Sequence, residues 1–131
     1  MPVQMALKRI ILSDIHESHY IELKELHGER RFTIIIGRPE AMSINQRVKR
    51  IASPRPMTHD LVIRVMHELG GELRDIVISD LREGTYFAKL RVMHDGELQE
   101  IDCRPSDAIA VATTMRAPIY VEEDVLEEAS A

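Results

Sequence analysis

Thr58-His59-Asp60 places a hydroxyl, an imidazole and a carboxylate in consecutive positions, the side-chain types from which proton transfer near neutral pH is assembled. Neighbouring residues on a helix point about 100° apart, so His59 and Asp60 must find separate partners elsewhere in the chain. Arginine precedes proline at Arg38-Pro39, Arg55-Pro56 and Arg104-Pro105, each time ahead of a helical pattern. An arginine beside the free N–H groups of a helix start is a ready anion site, and phosphate is the anion that chemistry suits best. Pro105 and Asp107 are accounted for as helix-start residues, because proline needs no donor there and an acid favours the positive end of the dipole. That local role leaves the charge of Arg104 without a use. Arg55, Arg104, Ser106 and Thr58 are therefore the candidate phosphate ligands, and His59, Asp60 and Asp107 the candidate catalytic groups. Glu40, Asp60, Asp102 and Asp107, carboxylates at element ends, are the candidate donors for Mg²⁺ or Mn²⁺.

Two further patterns carry less. His16 and His19 are spaced to share a metal ion, but they fall at a turn and do not form the HExxH zinc pattern. Cys103 beside Arg104 reads as a small residue at a strand end rather than an activated thiolate. No Walker loop, GxSxG elbow or GxGxxG turn occurs, which removes the common nucleotide-fold and esterase classes.

The elements that must hold these residues follow from hydrophobic period. Strands are expected over MALKRIILSDIH, HYIELKEL and RRFTIIIG, with HGE as a turn and glycine there for a positive φ. Ile34-Ile35-Ile36, apolar on both faces, predicts a central strand. From Glu40 the period becomes helical, with Ala41, Ile44, Val48 and Ile51 inward and Asn45, Gln46, Arg47, Lys49 and Arg50 outward. Ser53-Pro54-Arg55-Pro56 breaks that helix. The next has Thr58 as N-cap, Leu61, Val62, Val65, Met66 and Leu69 as a buried stripe, and Gly70-Gly71 as its stop. Strands return in ELRDIVISDL, TYFAKLRVM and ELQEIDC, joined by turns at REGT and HDG. Ala108 to Ala112 is apolar in every direction, so the third helix should be interior; Ile119-Tyr120-Val121 is a short strand and EEDVLEEA a closing helix. Three strands and an Arg-Pro helix thus occur twice, with Arg38 and Arg104 half the chain apart, which suggests a duplicated βββα unit. The expected class is α+β, with mostly antiparallel pairing and about four helices.

A chain of 131 residues fits one domain, residues 1–131, long enough to bury a core without staples. One cysteine permits no internal disulfide, and the absence of a membrane-length apolar run or signal-peptide layout leads to an expectation of a cytoplasmic protein that does not enter a membrane. A net charge of -5, with two Phe, three Tyr and no Trp, excludes coating nucleic acid by charge or stacking alone, so any nucleic-acid contact must be local.

RPMTHDL, DGELQEIDCRPSDAIAVA and APIYV, preceded by IIIGRPEA, together resemble the bifunctional nuclease family over about Val3 to Glu128. Its motif positions correspond here to Gly37, Glu40 and Ala41, then Arg55, Pro56, Thr58, His59 and Asp60, then Asp102, Arg104, Pro105, Ser106 and Asp107. Cys103 stands where Ala or Ser is expected, and Val111 where Leu is. The resemblance implies an α+β domain that self-associates as a homo-oligomer, with DNase and RNase activity.

Two functions from different classes follow. One is metal-assisted hydrolysis of RNA or DNA, with Arg55 and Arg104 on phosphate, Asp60, Asp107 and Glu40 or Asp102 on the ion, and His59 moving the proton. The other is a non-enzymatic oligomeric binding or regulatory module in which Arg-carboxylate pairs such as Arg104 with Asp60 are structural. A small-molecule hydrolase using the same residues is a third.

Overall fold

The computed structural model of the protein describes residues 1–13 and 18–131. Its elements run β1 (Pro2–Ile11), β2 (His19–Glu25), β3 (Arg31–Ile36), α1 (Arg38–Val48), α2 (Thr58–Glu68), β4 (Glu72–Arg82), β5 (Thr85–His94), β6 (Glu97–Cys103), α3 (Pro105–Met115), β7 (Ile119–Glu122) and α4 (Glu123–Ser130). The strands form one sheet in the order β3-β2-β1-β7-β4-β5-β6, in which only β4 and β7 pair in parallel. The fold is α+β, with four helices and a mostly antiparallel sheet, as the hydrophobic periods require.

Two antiparallel meanders, β1-β2-β3 and β4-β5-β6, flank β7, and each leads into a helix that begins at an Arg-Pro pair. β7 runs against β1 and along β4, so the meanders are opposed as an approximate two-fold would place them. Each half is thus three strands followed by a helix, the element order a duplicated βββα unit would have. The tight hairpins at Glu83-Gly84 and Asp95-Gly96 have positive φ at both central residues, the mirror-image turn whose twist suits paired strands. Gly28, in the β2–β3 loop, does not take a positive φ; its missing Cβ leaves room for the Glu25 carboxylate.

The core gathers Ile21 and Leu23 of β2, Ile76 and Ile78 of β4, Val121 of β7, Ile44 of α1 and Leu126 of α4 around α3, whose residues 108–112 are all buried. α3 is therefore interior because an unbroken run of small or branched apolar residues leaves it no polar side until Thr113 and Thr114.

Three expectations are corrected. β3 is an edge strand: Ile34 and Ile36 are buried under the helices, whereas Ile35 is 66% exposed on the other face. The run of isoleucines reflects β propensity, not burial on two sides. Val48 and Ile51 are exposed, and Arg47 takes the inner position one turn beyond Ile44. α2 carries no buried residue; Leu61, Val62, Val65 and Leu69 face outward, with Ile63 and Met66 half-buried against the core. Among the described residues no helix is long and apolar enough to cross a membrane.

The interior position of α3 has a direct test. Ala108→Leu, at a site with no exposed surface, should lower unfolding free energy by about 1–3 kcal/mol in urea titration, because the closely packed sheet and α1 cannot make room. An unchanged midpoint would show that α3 is not clamped.

Candidate functional site

The start of α3 carries the densest polar cluster. Nε and Nη2 of Arg104 donate to Oδ2 and Oδ1 of Asp107, both at 3.0 Å, a two-pronged guanidinium–carboxylate pair. The Arg104 backbone N–H also donates to Asp107 Oδ2, at 3.3 Å, which caps the helix. Arg104 Nη1 reaches Glu40 Oε1 at 3.3 Å, joining the first Arg-Pro corner to the third. His59 brings in the second corner, with Nε2 2.9 Å from Asp107 Oδ1.

Burial pushes the Asp107 carboxyl up, but hydrogen bonds from Arg104 and His59 and their charges outweigh it, leaving Asp107 below the ordinary aspartate range. An ionised carboxylate only accepts, so His59 Nε2 carries a proton, and whenever the ring is neutral the lone pair is on Nδ1. Arg104 is 65% exposed at its side chain, against 27% for Asp107 and 15% for His59. The cation is therefore accessible while the carboxylate and imidazole are held. Beside them opens a cleft of about 510 Å³ lined by Gly37, Glu40, Arg104 and Ser106, with Tyr20 and Tyr86 on its walls. A Cβ at Gly37 would overlap the Glu40 carboxylate, whose Oε2 is buried with no hydrogen-bond partner among the described residues.

Asp60 goes elsewhere. As the angle between helical neighbours requires, it turns away from His59 and accepts from Arg47 Nη1 at 2.8 Å and from the Met57 backbone N–H at 2.9 Å. The Met57 contact makes Met57 the N-cap position, in place of Thr58. Arg47 Nη1 also donates to Thr114 Oγ1 at 2.7 Å, and its Nε to Ser43 Oγ at 3.3 Å. The Arg47 hydrogen bond lowers the Asp60 pKa against the opposing effect of burial, with the Met57 N–H assisting.

The remaining candidates are dispersed. Arg55 is exposed beside Asp60, in a depression next to α2. Thr58 lines an apolar groove with Leu61 and Val65. Asp102 is exposed on edge strand β6, opposite Lys89. Arg38 is exposed at the start of α1. Glu40, Asp60, Asp102 and Asp107 do not assemble into one donor set: among the described residues no three His, Cys, Asp or Glu are grouped so as to hold a metal ion. The pairing of Arg104 with Asp60 is replaced by Arg104–Asp107 and Arg47–Asp60. Burial, with Asp107 and Asp102 nearby, pushes the Cys103 thiol up to about 12, so it is no nucleophile. His16 lies outside the described residues; His19 is buried and Nδ1 accepts from the Ser13 N–H at 3.3 Å.

Sequence reasoning missed Arg47 and its partners Ser43 and Thr114. The available signal was spacing: Arg47 lies three residues after Ile44 and shares its face, an inward position for a charge that then needs a carboxylate.

The bifunctional nuclease domain, as a family pattern, matches residues 21–131. This chain belongs to the bifunctional nuclease family. The match takes in all three Arg-Pro corners and Arg47. An uncharacterized protein of Mycobacterium tuberculosis (strain H37Rv) is 41% identical over 107 residues, covering 82% of this chain and 63% of that protein. Bifunctional nuclease 1 of Oryza sativa subsp. japonica and the bifunctional nuclease of Oryza minuta are each 26% identical over 118 residues, covering 87% of this chain and 36% of theirs. The chain thus spans less than two thirds of these relatives' lengths. Within this bifunctional nuclease domain, the His59–Asp107–Arg104–Glu40 chain and the Arg47–Asp60 pair leave the first turn of α2 from adjacent residues pointing about 100° apart.

The second pair ties α2 to the body. Asp60→Asn leaves the Arg47 charge buried without a carboxylate and should destabilise the fold by about 3 kcal/mol. Because the Asp60 pKa is lower folded than unfolded, its contribution is complete above about 3.9, the ordinary aspartate value, and is lost as pH falls through the folded value. Urea midpoints measured from pH 7 down to pH 2 should show that acid-dependent loss shrink in Asp60→Asn; parallel curves for the two proteins would contradict the pairing.

Proposed function

We propose that the protein hydrolyses phosphodiester bonds of RNA or DNA at the cleft beside Arg104. The observation that carries the reading is the single carboxylate of Asp107 accepting from both His59 and Arg104, which sets a proton acceptor next to an accessible cation. Arg104 turns its exposed guanidinium to a non-bridging phosphate oxygen, with Ser106 in the cleft wall as a further donor. His59 Nδ1 takes a proton from water as the water oxygen bonds to phosphorus. The ester P–O bond then breaks and the imidazolium returns the proton to the leaving oxygen. Asp107 fixes the tautomer and stabilises the imidazolium. Asp60 has no part in proton transfer, since it is committed to Arg47.

Mg²⁺ or Mn²⁺ needs several oxygen donors converging on one point. Here Asp60, Asp107 and Glu40 each face a guanidinium, and among the described residues three donors are not grouped. That donor set does not fit a resident ion, and no step of the reaction passes through one. With highly purified protein and short RNA and DNA substrates, the expected outcome is cleavage in EDTA, reduced at least about 100-fold by His59→Ala and by Arg104→Gln in variants that still fold. Equal residual activity in the folded variants would assign the cleavage to a contaminant. Cleavage only on adding Mg²⁺ or Mn²⁺ would overturn the metal-free route.

Self-association is proposed on a separate observation. Leu61, Val65 and Leu69 of α2 and Ile101 of β6 are 55%, 47%, 71% and 48% exposed and border a groove of about 560 Å³. A contiguous apolar surface of this kind marks an interaction site, and an amphipathic helix beside a free sheet edge can meet its own copy across a two-fold. Sedimentation equilibrium should give a dimer or larger for the wild type and a folded monomer for Val65→Glu. A wild-type monomer at tens of micromolar would contradict this.

A further inference from the structure

On the Asp60 side of the first turn of α2, away from His59, two adjoining depressions of about 230 and 510 Å³ share Ser53, Asp60 and Thr114 in their walls. They concentrate charge in a chain that is acidic overall: Arg47, Arg50, Arg55 and Arg64 line them, against Asp60 and Glu68. Arg50 is occupied, since Nη1 and Nη2 donate to the Thr114 and Thr113 carbonyls at the end of α3. Arg55 and Arg64 make no ion pair among the described residues.

Arg47 is the unusual member. Its side chain is only 7% exposed, and three of its hydrogen bonds go to Asp60, Thr114 and Ser43. Its Nη2 is buried and has no partner among the described residues. A buried guanidinium nitrogen with unused donors costs free energy unless an acceptor reaches it. Two acids, Asp60 and Glu68, cannot neutralise four arginines. The complement that satisfies both the open donors and the excess charge is a phosphate group, which guanidinium binds in two-pronged geometry.

We propose that this double pocket binds a backbone phosphate of single-stranded nucleic acid, through Arg47, Arg55 and Arg64, next to the phosphate held for cleavage at Arg104. The substrate class rests on the hydrolase reading; the phosphate site does not. His59 and Asp60 are helix neighbours pointing about 100° apart, so a strand laid across the start of α2 touches both sites. The two depressions have room for one or two phosphates and not for a duplex. Few aromatic side chains are available to stack bases, so the grip must be on the backbone, and sequence preference should be weak.

The test uses the full chain in EDTA with a single-stranded phosphorothioate oligonucleotide that resists cleavage, its binding read by fluorescence anisotropy across a salt series. Arg55→Gln/Arg64→Gln changes two exposed arginines without structural partners, so the melting temperature should hold. Its affinity should fall at least about tenfold, with the slope of log affinity against log salt shallower by roughly 0.7 for each phosphate the protein no longer neutralises. In parallel, bis(p-nitrophenyl) phosphate, too short to span both sites, should be cleaved equally by wild type and the double variant while oligonucleotide cleavage falls. A protein that cleaves nothing but whose oligonucleotide binding still depends on Arg55 and Arg64 would keep the site and end the hydrolase reading. The Arg47 Nε–H resonance provides an independent measure, with a saturable shift expected on adding inorganic phosphate and none with chloride. Unchanged affinity in the double variant, or an unmoved Arg47 resonance at saturating oligonucleotide, overturns the proposal.

Discussion

The Asp107 carboxylate accepts from Arg104 at its own helix start and from His59 at the start of α2, while Arg104 continues to Glu40 on α1. Three segments distant in sequence are registered to one another by that one group. It can do so because α3 is pinned by burial on every side, so its first turn is a fixed point in the sheet's frame. Remove the packing of residues 108–112 and the polar chain has no anchor; remove Asp107 and α2 loses one of its polar ties.

α2 shows why those ties matter. Its apolar side is turned outward and no residue on it is buried, so among the described residues Ile63 and Met66 are what packs it against the core. Electrostatics supplies the rest, through His59 on one side of its first turn and Asp60 on the other. The helix thereby lines both the arginine pocket and the apolar groove and carries the His59 partner of Asp107, and a change in how it sits would be felt at all three.

Much of the scaffold was legible in the sequence because local chemistry decides it. Asp95-Gly96 and Glu83-Gly84 announce mirror-image turns, Pro105 and Asp107 a helix start, and Ala108 to Ala112 an interior helix. The repeated Arg-Pro pattern foreshadowed the paired meanders. What failed were inferences about which face meets what. Ile34-Ile35-Ile36 looks the same in an edge strand with one bare face as in a central one, and the stripe of α2 looks the same whether it meets this chain or another. The site divided likewise. His59 and Asp107 were separate candidates by sequence and the structure brings them together, whereas Asp60 is drawn away by Arg47, a residue that resembles a solvated surface charge. Partners that far apart in sequence are chosen by tertiary geometry, which no spacing rule records.

The most direct measurement of the central claim is the ¹⁵N spectrum of the His59 ring across neutral pH. For the neutral form of the ring the account predicts the proton at Nε2, with Nδ1 bare, and loss of that fixed tautomer in Asp107→Asn. A ring protonated at Nδ1, or a tautomer indifferent to Asp107, would contradict it.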